Sequence, residues 1–222
     1  MKSTLRTEQR FGTDHQKRRA ESILKEAEAY FVETGIADSK MEDIAERVGV
    51  SRQTLYRYYR TKEDIALAVE VRVLGSILSR LSELFSSYEG LTLKELEKKV
   101  DEHTITFLQE YEQKIRFTAL FDSYFQRYSQ QQFIDAMKQT LSTYTNPFRR
   151  IIEREQEHGR VCRTLDPVVA GEMITHSMLS LSQRVLVRKE ALASEYGFDP
   201  LYVVPLQMKI FIRGIQCSIP ES

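Results

Sequence analysis

The sequence lacks the features of a secreted, disulfide-bonded domain and of a membrane protein. Its 222 residues include two cysteines, Cys162 and Cys217, which lie in no CxxC or Cys/His metal spacing, so we expect free thiols at both positions. No apolar run approaches the roughly 18 residues that a membrane span needs, and the first residues lack the apolar stretch of a signal peptide. These absences predict a soluble cytoplasmic protein without membrane association.

Catalytic motifs are also missing. The four histidines lie in unrelated segments, and the sequence contains no HExxH helix, no glycine-rich phosphate loop and no GxSxG turn. These are the patterns of a metal site, a phosphate cradle and an activated nucleophile. His158 and Cys162 are four residues apart, but Gly159 between them argues against a helical turn that would pair them. We therefore predict that the protein is not an enzyme and needs no metal or cofactor.

The net charge is zero, but the charges are unevenly distributed. Residues 1–62 carry 13 Lys and Arg against 10 Asp and Glu, a net of +3, so residues 63–222 carry −3. Residues 47–62 contain four arginines, one lysine and no acidic residue. Such a basic segment favours a polyanionic partner at the N-terminal end of the chain.

Residues 39–48 have the pattern of a short amphipathic helix. Ser39 stands three residues before Glu42, as in a capping box. Gly49 predicts the end of the helix, because glycine accepts the left-handed conformation of a sharp turn. The apolar residues follow the i, i+3, i+4, i+7 spacing of one buried face, namely Met41, Ile44, Ala45 and Val48.

A second short helix is predicted directly after this turn. Ser51 is a suitable N-cap, and Leu55 and Tyr59 lie on the face that would point inward. Arginine pairs with guanine, glutamine pairs with adenine, and hydroxyl groups meet phosphates or base edges. Residues 39–62 therefore predict a DNA-binding helix-turn-helix, and the alternative is an ordinary helical pair with a basic, solvated surface. The outward positions of the second helix are Arg52, Gln53, Thr54, Tyr56, Arg57 and Tyr58.

The same segment resembles the signature of the tetracycline-repressor (TetR) family of bacterial transcription regulators. The resemblance covers about residues 17–70 and rests on Ile44-Ala45, Gly49-Val50-Ser51, Thr54-Leu55-Tyr56, Tyr58-Tyr59 and Thr61-Lys62-Glu63. It implies an all-α homodimer. The base-reading residues that it implies are Arg52, Gln53 and Tyr58, and the phosphate-contacting residues that it implies are Ser51, Thr54, Tyr56 and Lys62.

Two positions depart from the family pattern. Lys40 stands where the family commonly has a phosphate-contacting threonine, and the lysine retains a phosphate donor. Gln53 replaces a frequent glycine or proline and places a long amide side chain at the start of the second helix. The operator sequence therefore does not transfer from better-known relatives.

A supporting helix is predicted upstream, over residues 16–34. Its apolar stripe ends before Gly35, and the basic run 17–19 at its start provides either phosphate contacts or solvated charges. Residues 1–13 have no core-forming pattern. We expect them to be a flexible arm, which either enters the minor groove or makes no contact with DNA.

The remaining chain predicts a succession of helices, so the expected fold class is all-α. A DNA-binding domain over residues 14–62 would precede a larger domain over residues 63–222. The capping pattern Thr61-Lys62-Glu63-Asp64 predicts the start of a long helix, and Thr92 with Glu95 predicts the start of the next one.

The last two helices are predicted to form the interface of a homodimer. They start at Asp166-Pro167 and Asp199-Pro200, where an aspartate N-cap precedes a proline in the first turn. Their apolar arcs are wide enough for burial on two sides, and a monomeric core is the alternative. These arcs comprise Val168, Val169, Met173, Ile174, Met178, Leu179, Leu181, Leu186 and Val187 in one helix and Leu201, Val204, Leu206, Met208, Ile210, Phe211 and Ile215 in the other.

Aromatic residues are concentrated in the middle of the chain and suggest an apolar effector pocket. A helical aromatic stripe is also typical of an ordinary core, so only the cluster as a whole supports a pocket. The candidate ligand-binding residues are Phe107, Tyr111, Phe121, Tyr124, Phe125, Tyr128, Met137, Met173 and His176.

These patterns together predict a dimeric repressor that leaves a palindromic DNA operator when a small, largely apolar or aromatic effector binds. The alternative is an all-α binding or structural protein with a vestigial helix-turn-helix.

Overall fold

The computed structural model describes residues 14–88, 90–125, 131, 134, 135, 138 and 146–216. These residues form α-helices, one 3-10 turn and one antiparallel bridge between Val161 and Gln216, which confirms the all-α fold. None of the helices in this part of the chain is long and apolar enough to cross a membrane. The predicted arm and Cys217 lie outside the described residues.

The chain divides into two compact units. The first comprises residues 1–77 and 116–143, and the second comprises residues 78–115 and 144–222. The sequence predicts a different boundary, after residue 62, at the end of the DNA-binding domain. That boundary remains a prediction.

The described part of the first unit contains three complete helices and parts of two others. They are α1 (Asp14–Thr34), α2 (Met41–Val48), α3 (Arg52–Tyr58), most of α4 (Lys62–Ser86) and most of α6 (Glu112–Phe125). The apolar stripe predicted for α1 is buried, which confirms it: Ala20, Ile23, Leu24, Ala27 and Phe31.

Helix ends in the first unit follow local capping chemistry. Gly35 ends α1 with φ at 84°, as predicted. The Thr61 hydroxyl accepts a hydrogen bond from the Asp64 amide at 3.1 Å, and the Asp64 carboxylate accepts from the amides of Arg60 and Thr61. The predicted cap at the start of α4 is therefore confirmed, because the side chains satisfy amides that have no partner inside the helix.

The predicted capping box at Ser39 is wrong. Ser39 is buried and its hydroxyl donates to the Gly35 carbonyl at 2.5 Å, so that hydroxyl closes the preceding turn. The N-cap of α2 is Lys40, whose side chain makes no capping hydrogen bond.

Where the structure describes it, the second unit contains the C-terminal end of α4 and the start of α6, with six further elements. They are α5 (Leu93–Glu110), α7 (Pro147–Glu157), α8 (Pro167–Val187), α9 (Lys189–Tyr196), a 3-10 turn (Pro200–Tyr202) and α10 (Val203–Gly214). The helix α9 was not predicted.

Polar side chains start most helices of the second unit, and those of α5 and α8 are the ones that the sequence predicts. Thr92 and Glu95 form the capping box of α5, and Asn146 accepts from two amides of α7. Asp166 accepts from the amides of Val168 and Val169 at the start of α8. Asp199 differs from the prediction, because it caps the 3-10 turn and the helix α10 begins only at residue 203.

Glu155 fixes the end of α7 within the second unit. Its carboxylate is fully buried and accepts hydrogen bonds from Arg154 Nε at 2.9 Å and Arg160 Nε at 2.6 Å. Burial alone would raise the pKa of Glu155, but the hydrogen bonds and charges of Arg160 and Arg154 lower it. The carboxylate therefore stays ionised and holds the turn that follows α7.

Candidate nucleic-acid interface

The turn between α2 and α3 fixes the angle between the two helices. Gly49 adopts the left-handed conformation with φ at 70°. Its amide donates to the Glu46 carbonyl at 3.0 Å, and the Val50 amide donates to the Ala45 carbonyl at 2.9 Å. These two bonds form the usual closure of a helix by glycine, and they confirm the predicted turn.

Ser51 then starts α3. Its hydroxyl oxygen accepts from the Thr54 amide at 3.1 Å and lies 2.9 Å from the Thr54 hydroxyl. Arg52 and Gln53 follow directly and are exposed, and Tyr56 is 46% exposed. The exposed face of α3 therefore presents a guanidinium, which donates hydrogen bonds, beside an amide and a phenol, which both donate and accept them.

The outward orientation predicted for Tyr58 is wrong. Tyr58 is 5% exposed, and Leu55 and Tyr59 are buried with it. The reason is that Leu55, Tyr58 and Tyr59 share the i, i+3, i+4 spacing of one helix face, and α3 ends at Tyr58. Of the three base-reading residues that the resemblance implies, Arg52 and Gln53 are on the exposed face and Tyr58 is not.

Lys40 and Lys62 have different surroundings. Lys40 is exposed at the start of α2. The Lys62 ammonium group donates to the carbonyls of Ala37 and Ser39, the latter at 3.1 Å, and lies 5.9 Å from the ring centroid of Tyr124. Lys62 therefore supports the loop before α2, a role that the sequence pattern does not indicate.

A surface cavity with a volume of about 470 Å³ lies beside the exposed face of α3. The start of α1 and the residues of α3 line it, with His15, Gln16 and Arg19 on one side and Thr54 and Arg57 on the other. Arg19 belongs to the basic run predicted to contact phosphate or solvent. His15 and Gln16 were not predicted to lie at this surface, although their position in the first turn of the same helix as Arg19 indicates it.

The charge of Arg47 is partly neutralised within the fold. Its guanidinium lies 2.6 Å from a Glu33 carboxylate oxygen and 4.5 Å from the Tyr30 ring centroid. The Tyr30 hydroxyl donates to Asp43 at 2.5 Å, and this hydrogen bond, together with burial, raises the pKa of Tyr30. Because these contacts join α1 to α2, the main role of Arg47 is to hold the helix-turn-helix in position. Its contribution to the positive charge of the surface is smaller.

The aromatic residues proposed for the effector lie in both units. In the first unit, the rings of Phe121 and Phe125 stack at 4.1 Å, and Tyr124 meets Phe125 edge-on at 5.6 Å. In the second unit, Phe107 stacks on Tyr111 at 4.8 Å. Tyr128 and Met137 lie outside the described residues.

Part of this aromatic set is ordinary core. Phe121 is fully buried and stands 6.2 Å from Phe117, which itself stands 6.2 Å from Phe31 of α1. Tyr124 and Phe125 are only half-buried, and the Tyr124 hydroxyl donates to Glu63 at 2.7 Å.

Sequence reasoning missed Glu70, a buried acidic residue of the first unit. Glu70 lies on α4 and is 2% exposed, and its Oε2 atom has no hydrogen-bond partner among the described residues. Burial and the nearby charge of Asp122 hold the pKa of Glu70 well above its ordinary value. A single acid between Val69 and Val71 gives no periodic signal, so only the structure identifies it.

The prediction that Met173 and His176 line an interior pocket is wrong. Met173 is 49% exposed and His176 is exposed on α8, because the stripe at Ala170, Ile174 and neighbouring positions is the one that packs inward. The described faces of α8 and α10 instead carry large apolar residues in contact with solvent: Val168, Val169, Met173, Val187, Leu206 and Ile210.

No group of three or more His, Cys, Asp or Glu side chains suited to a metal ion occurs in the described part of the chain.

Comparison with known proteins agrees with this geometry. A family model described as "Bacterial regulatory proteins, tetR family" matches residues 23–69. Comparison with curated proteins finds no matching sequence. The family and the structural neighbours are regulators of transcription, not enzymes.

Solved structures share the fold over most of the chain. The fatty acid degradation regulator FadR from Bacillus halodurans is 18% identical with a TM-score of 0.63, covering 89% of this chain and 96% of its own. FadR from Bacillus subtilis, in complex with stearoyl-CoA, is 20% identical with a TM-score of 0.63, covering 88% and 98%. SmeT, repressor of a Stenotrophomonas maltophilia multidrug efflux pump, is 20% identical with a TM-score of 0.60, covering 91% and 94%.

Proposed function

We propose that this chain is a dimeric transcriptional repressor, which a small effector releases from a palindromic operator. The premise is the match of residues 23–69 to the tetR family of bacterial regulatory proteins. The observation that carries the proposal is the exposed face of α3, where Arg52, Gln53 and Tyr56 are open to solvent and Arg52 also lies 3.4 Å from a Glu42 carboxylate oxygen of α2. Exposed polar side chains on the second helix of a helix-turn-helix are placed to meet base edges in the major groove.

DNA recognition divides between two sets of residues. Arg52 and Gln53 read base edges, because guanidinium and amide groups make bidentate hydrogen bonds to guanine and adenine. Phosphate contacts from the flanking residues fix the position of α3 in the groove. The proposed phosphate contacts are Lys40, Ser51, Thr54 and Tyr56.

A homodimer forms through α8 and α10. Its support is the exposed apolar face of these helices, since large contiguous apolar patches on a soluble chain mark interaction surfaces. Two copies of α3 then reach half-sites about 34 Å apart, one helical turn of DNA.

The effector is a largely apolar molecule. Support comes from the half-buried pair Tyr124 and Phe125 and from one structural neighbour, FadR of Bacillus subtilis, which holds stearoyl-CoA. Tyr124 also bonds to Glu63, next to the lysine that supports the loop before α2, so an effector near these rings would act on the DNA-binding helices.

The decisive experiment is a retention assay with DNA fragments from around the protein's own gene. We expect the purified protein to retain one fragment, to protect a palindrome within it, and to lose affinity steeply as salt rises. Retention of all fragments alike, or of none, would contradict a sequence-specific regulator and favour a vestigial helix-turn-helix. A thermal-shift screen with hydrophobic and cationic aromatic compounds, followed by release of the retained fragment, tests the effector separately.

A further inference from the structure

A second candidate binding site lies entirely within the second unit, where a groove of about 320 Å³ separates the C-terminal end of α4 from the start of α7. Phe85 and Tyr88 border it on one side, and Pro147 and Ile151 border it on the other. This volume is at the lower end of the range for small-molecule sites.

The floor of the groove is apolar and well packed. The Phe85 ring meets Tyr88 edge-on at 5.5 Å and meets Phe148 at 4.6 Å. Tyr88 and Pro147 are buried, whereas Ile151 is half-buried. Such a floor offers dispersion contacts to an apolar chain with little rearrangement of its own side chains.

The rim of the groove is positively charged. Arg150 and Arg154 are one helical turn apart on α7 and both border the groove. Arg154 is held in place, because it donates to the Leu91 carbonyl at 2.8 Å and to Glu155 at 2.9 Å. Arg150 is exposed, and its guanidinium has no acidic partner among the residues that the structure describes.

Neighbouring carboxylates are already engaged elsewhere. Glu153 pairs with Arg149 at 2.7 Å, and Glu155 is shared between Arg154 and Arg160. Arg154 and Arg160 thus share one carboxylate, and neither Glu153 nor Glu155 pairs with Arg150. An apolar floor beneath an uncompensated guanidinium is complementary to a molecule that carries an apolar chain and an anionic group.

We propose that this groove binds an amphipathic anion, a molecule with an apolar chain and a terminal carboxylate or phosphate. The chain lies against Phe85 and Ile151, and the oxyanion meets Arg150 with help from Arg154. Arginine suits this role because its planar fork donates two parallel hydrogen bonds to a carboxylate or phosphate. The proposal does not depend on DNA binding, since it is tested on the protein alone.

The test is isothermal titration of the full chain with four probes at concentrations below micelle formation. They are decanoate, decyl phosphate, decanol and inorganic phosphate. We expect both amphipathic anions to bind at least about tenfold more tightly than decanol or inorganic phosphate, the factor that one charge-assisted hydrogen bond supplies. The tighter of the two anions identifies the head group. Binding of decanol as tight as that of decanoate, or no binding of any probe, overturns the proposal.

Two substitutions and a matched control locate the site. Arg150→Ala should weaken decanoate binding about tenfold and leave decanol unchanged, whereas Arg163→Ala removes the same charge from an exposed residue that does not line the groove and should leave both unchanged. Ser86→Trp, at an exposed position that lines the groove, should block it and abolish binding of both anions. Equal effects of Arg150→Ala and Arg163→Ala, or full binding by the Ser86→Trp protein, would contradict the assignment. Far-UV circular dichroism confirms that each variant is folded.

Discussion

Glu70 shows how much a single buried residue can destabilise this fold. The carboxylate of Glu70 is almost completely buried and its Oε2 atom accepts no hydrogen bond from the described residues, so that oxygen loses its hydration without compensation. The Asp122 charge adds repulsion. The folded protein therefore holds the Glu70 proton more tightly than the unfolded chain does, and this group makes folding depend on pH.

Glu70→Gln should stabilise the protein increasingly as pH rises. The raised pKa means that the contribution of Glu70 is fully present below its unfolded pKa and is lost as pH rises through its folded pKa. A neutral amide removes this loss, so we expect a gain on the order of 1 kcal/mol at about pH 8 and a smaller difference at about pH 5. Denaturant unfolding across this pH range measures the effect. Glu102→Gln, at an exposed position of α5, is the control, and a pH-independent difference for Glu70→Gln would refute the explanation.

Arg52→Ala and Gln53→Ala should each cost roughly 1–3 kcal/mol of operator affinity and relax the preference at one base pair. The reason is that both side chains are exposed on α3 and carry groups that read base edges. Competition assays with single-base-pair operator variants detect the change.

The matched control is Arg60→Ala, which removes an exposed arginine just beyond α3. It should weaken binding to all sequences alike. If all three variants reduced affinity without any change in base preference, α3 would contact only the DNA backbone.

At the scale of elements, the turn between α2 and α3 depends on backbone conformation alone. A Cβ atom built on Gly49 meets nothing within 4 Å, and its φ is 70°. A Cβ atom on Gly75, in the middle of α4, also meets nothing within 4 Å, and its backbone is helical. The two glycines therefore differ in conformation and not in space.

Alanine at these two glycines should have opposite effects. Gly49→Ala should destabilise the protein by about 1 kcal/mol, because the left-handed conformation strains a residue with a Cβ atom. Gly75→Ala should stabilise it by about 0.5–1 kcal/mol, because alanine loses less conformational freedom in a helix. Thermal unfolding of the two variants is sufficient, and effects of the same sign would contradict this account.

Lys62 and Lys40 allow the support of an element to be separated from contact with DNA. Lys62→Met should weaken binding to all DNA sequences without changing the salt dependence, because its ammonium group already donates to two loop carbonyls. Lys40→Met should reduce the slope of log affinity against log salt by about 1, the signature of one lost phosphate contact. Filter binding over a salt series measures both slopes, and a reduced slope for Lys62→Met would restore its role as a phosphate contact.

Helix ends were the most predictable elements, and buried faces were the least. Caps such as Ser51, Thr92 and Asp166 depend on a few adjacent residues, so the sequence specifies them directly. Ser39 failed as a cap because the Gly35 carbonyl competes for its hydroxyl. Tyr58 failed as an outward residue because a two-turn helix offers too few positions for periodicity to choose between neighbouring tyrosines.

For the whole molecule, the exposed apolar face of α8 and α10 predicts self-association. Ile210 is 60% exposed on α10, so a charge there leaves the fold of one chain unaffected but is costly when buried against a partner. Ile210→Glu should yield a monomer with strongly reduced operator affinity, because only one half-site is then occupied. Light scattering after size exclusion gives the mass. Gln113→Glu, which adds the same charge at an exposed position of α6, should remain dimeric, and an unchanged mass for Ile210→Glu would exclude this face as the interface.

The sequence predicted which helices are apolar on a wide arc but not which side of each arc faces solvent. Met173 and His176 were candidate ligand-binding residues, whereas both are exposed on α8. The helical period identifies a stripe, but the choice between core, partner and ligand depends on contacts between residues far apart in the chain. The burial of Glu70 and the groove beside Arg150 are also not predictable from the helical period, because long-range packing creates both.

The exposed face of α3 also has an evolutionary consequence. Arg52, Gln53 and Tyr56 contribute little to the core, which Leu55, Tyr58 and Tyr59 supply from the opposite side. Substitutions at the first three positions can therefore accumulate after gene duplication at almost no cost in folding. Two copies of this protein could diverge to control separate sets of genes while sharing one scaffold, and a laboratory library randomised at only these three positions would sample that divergence directly.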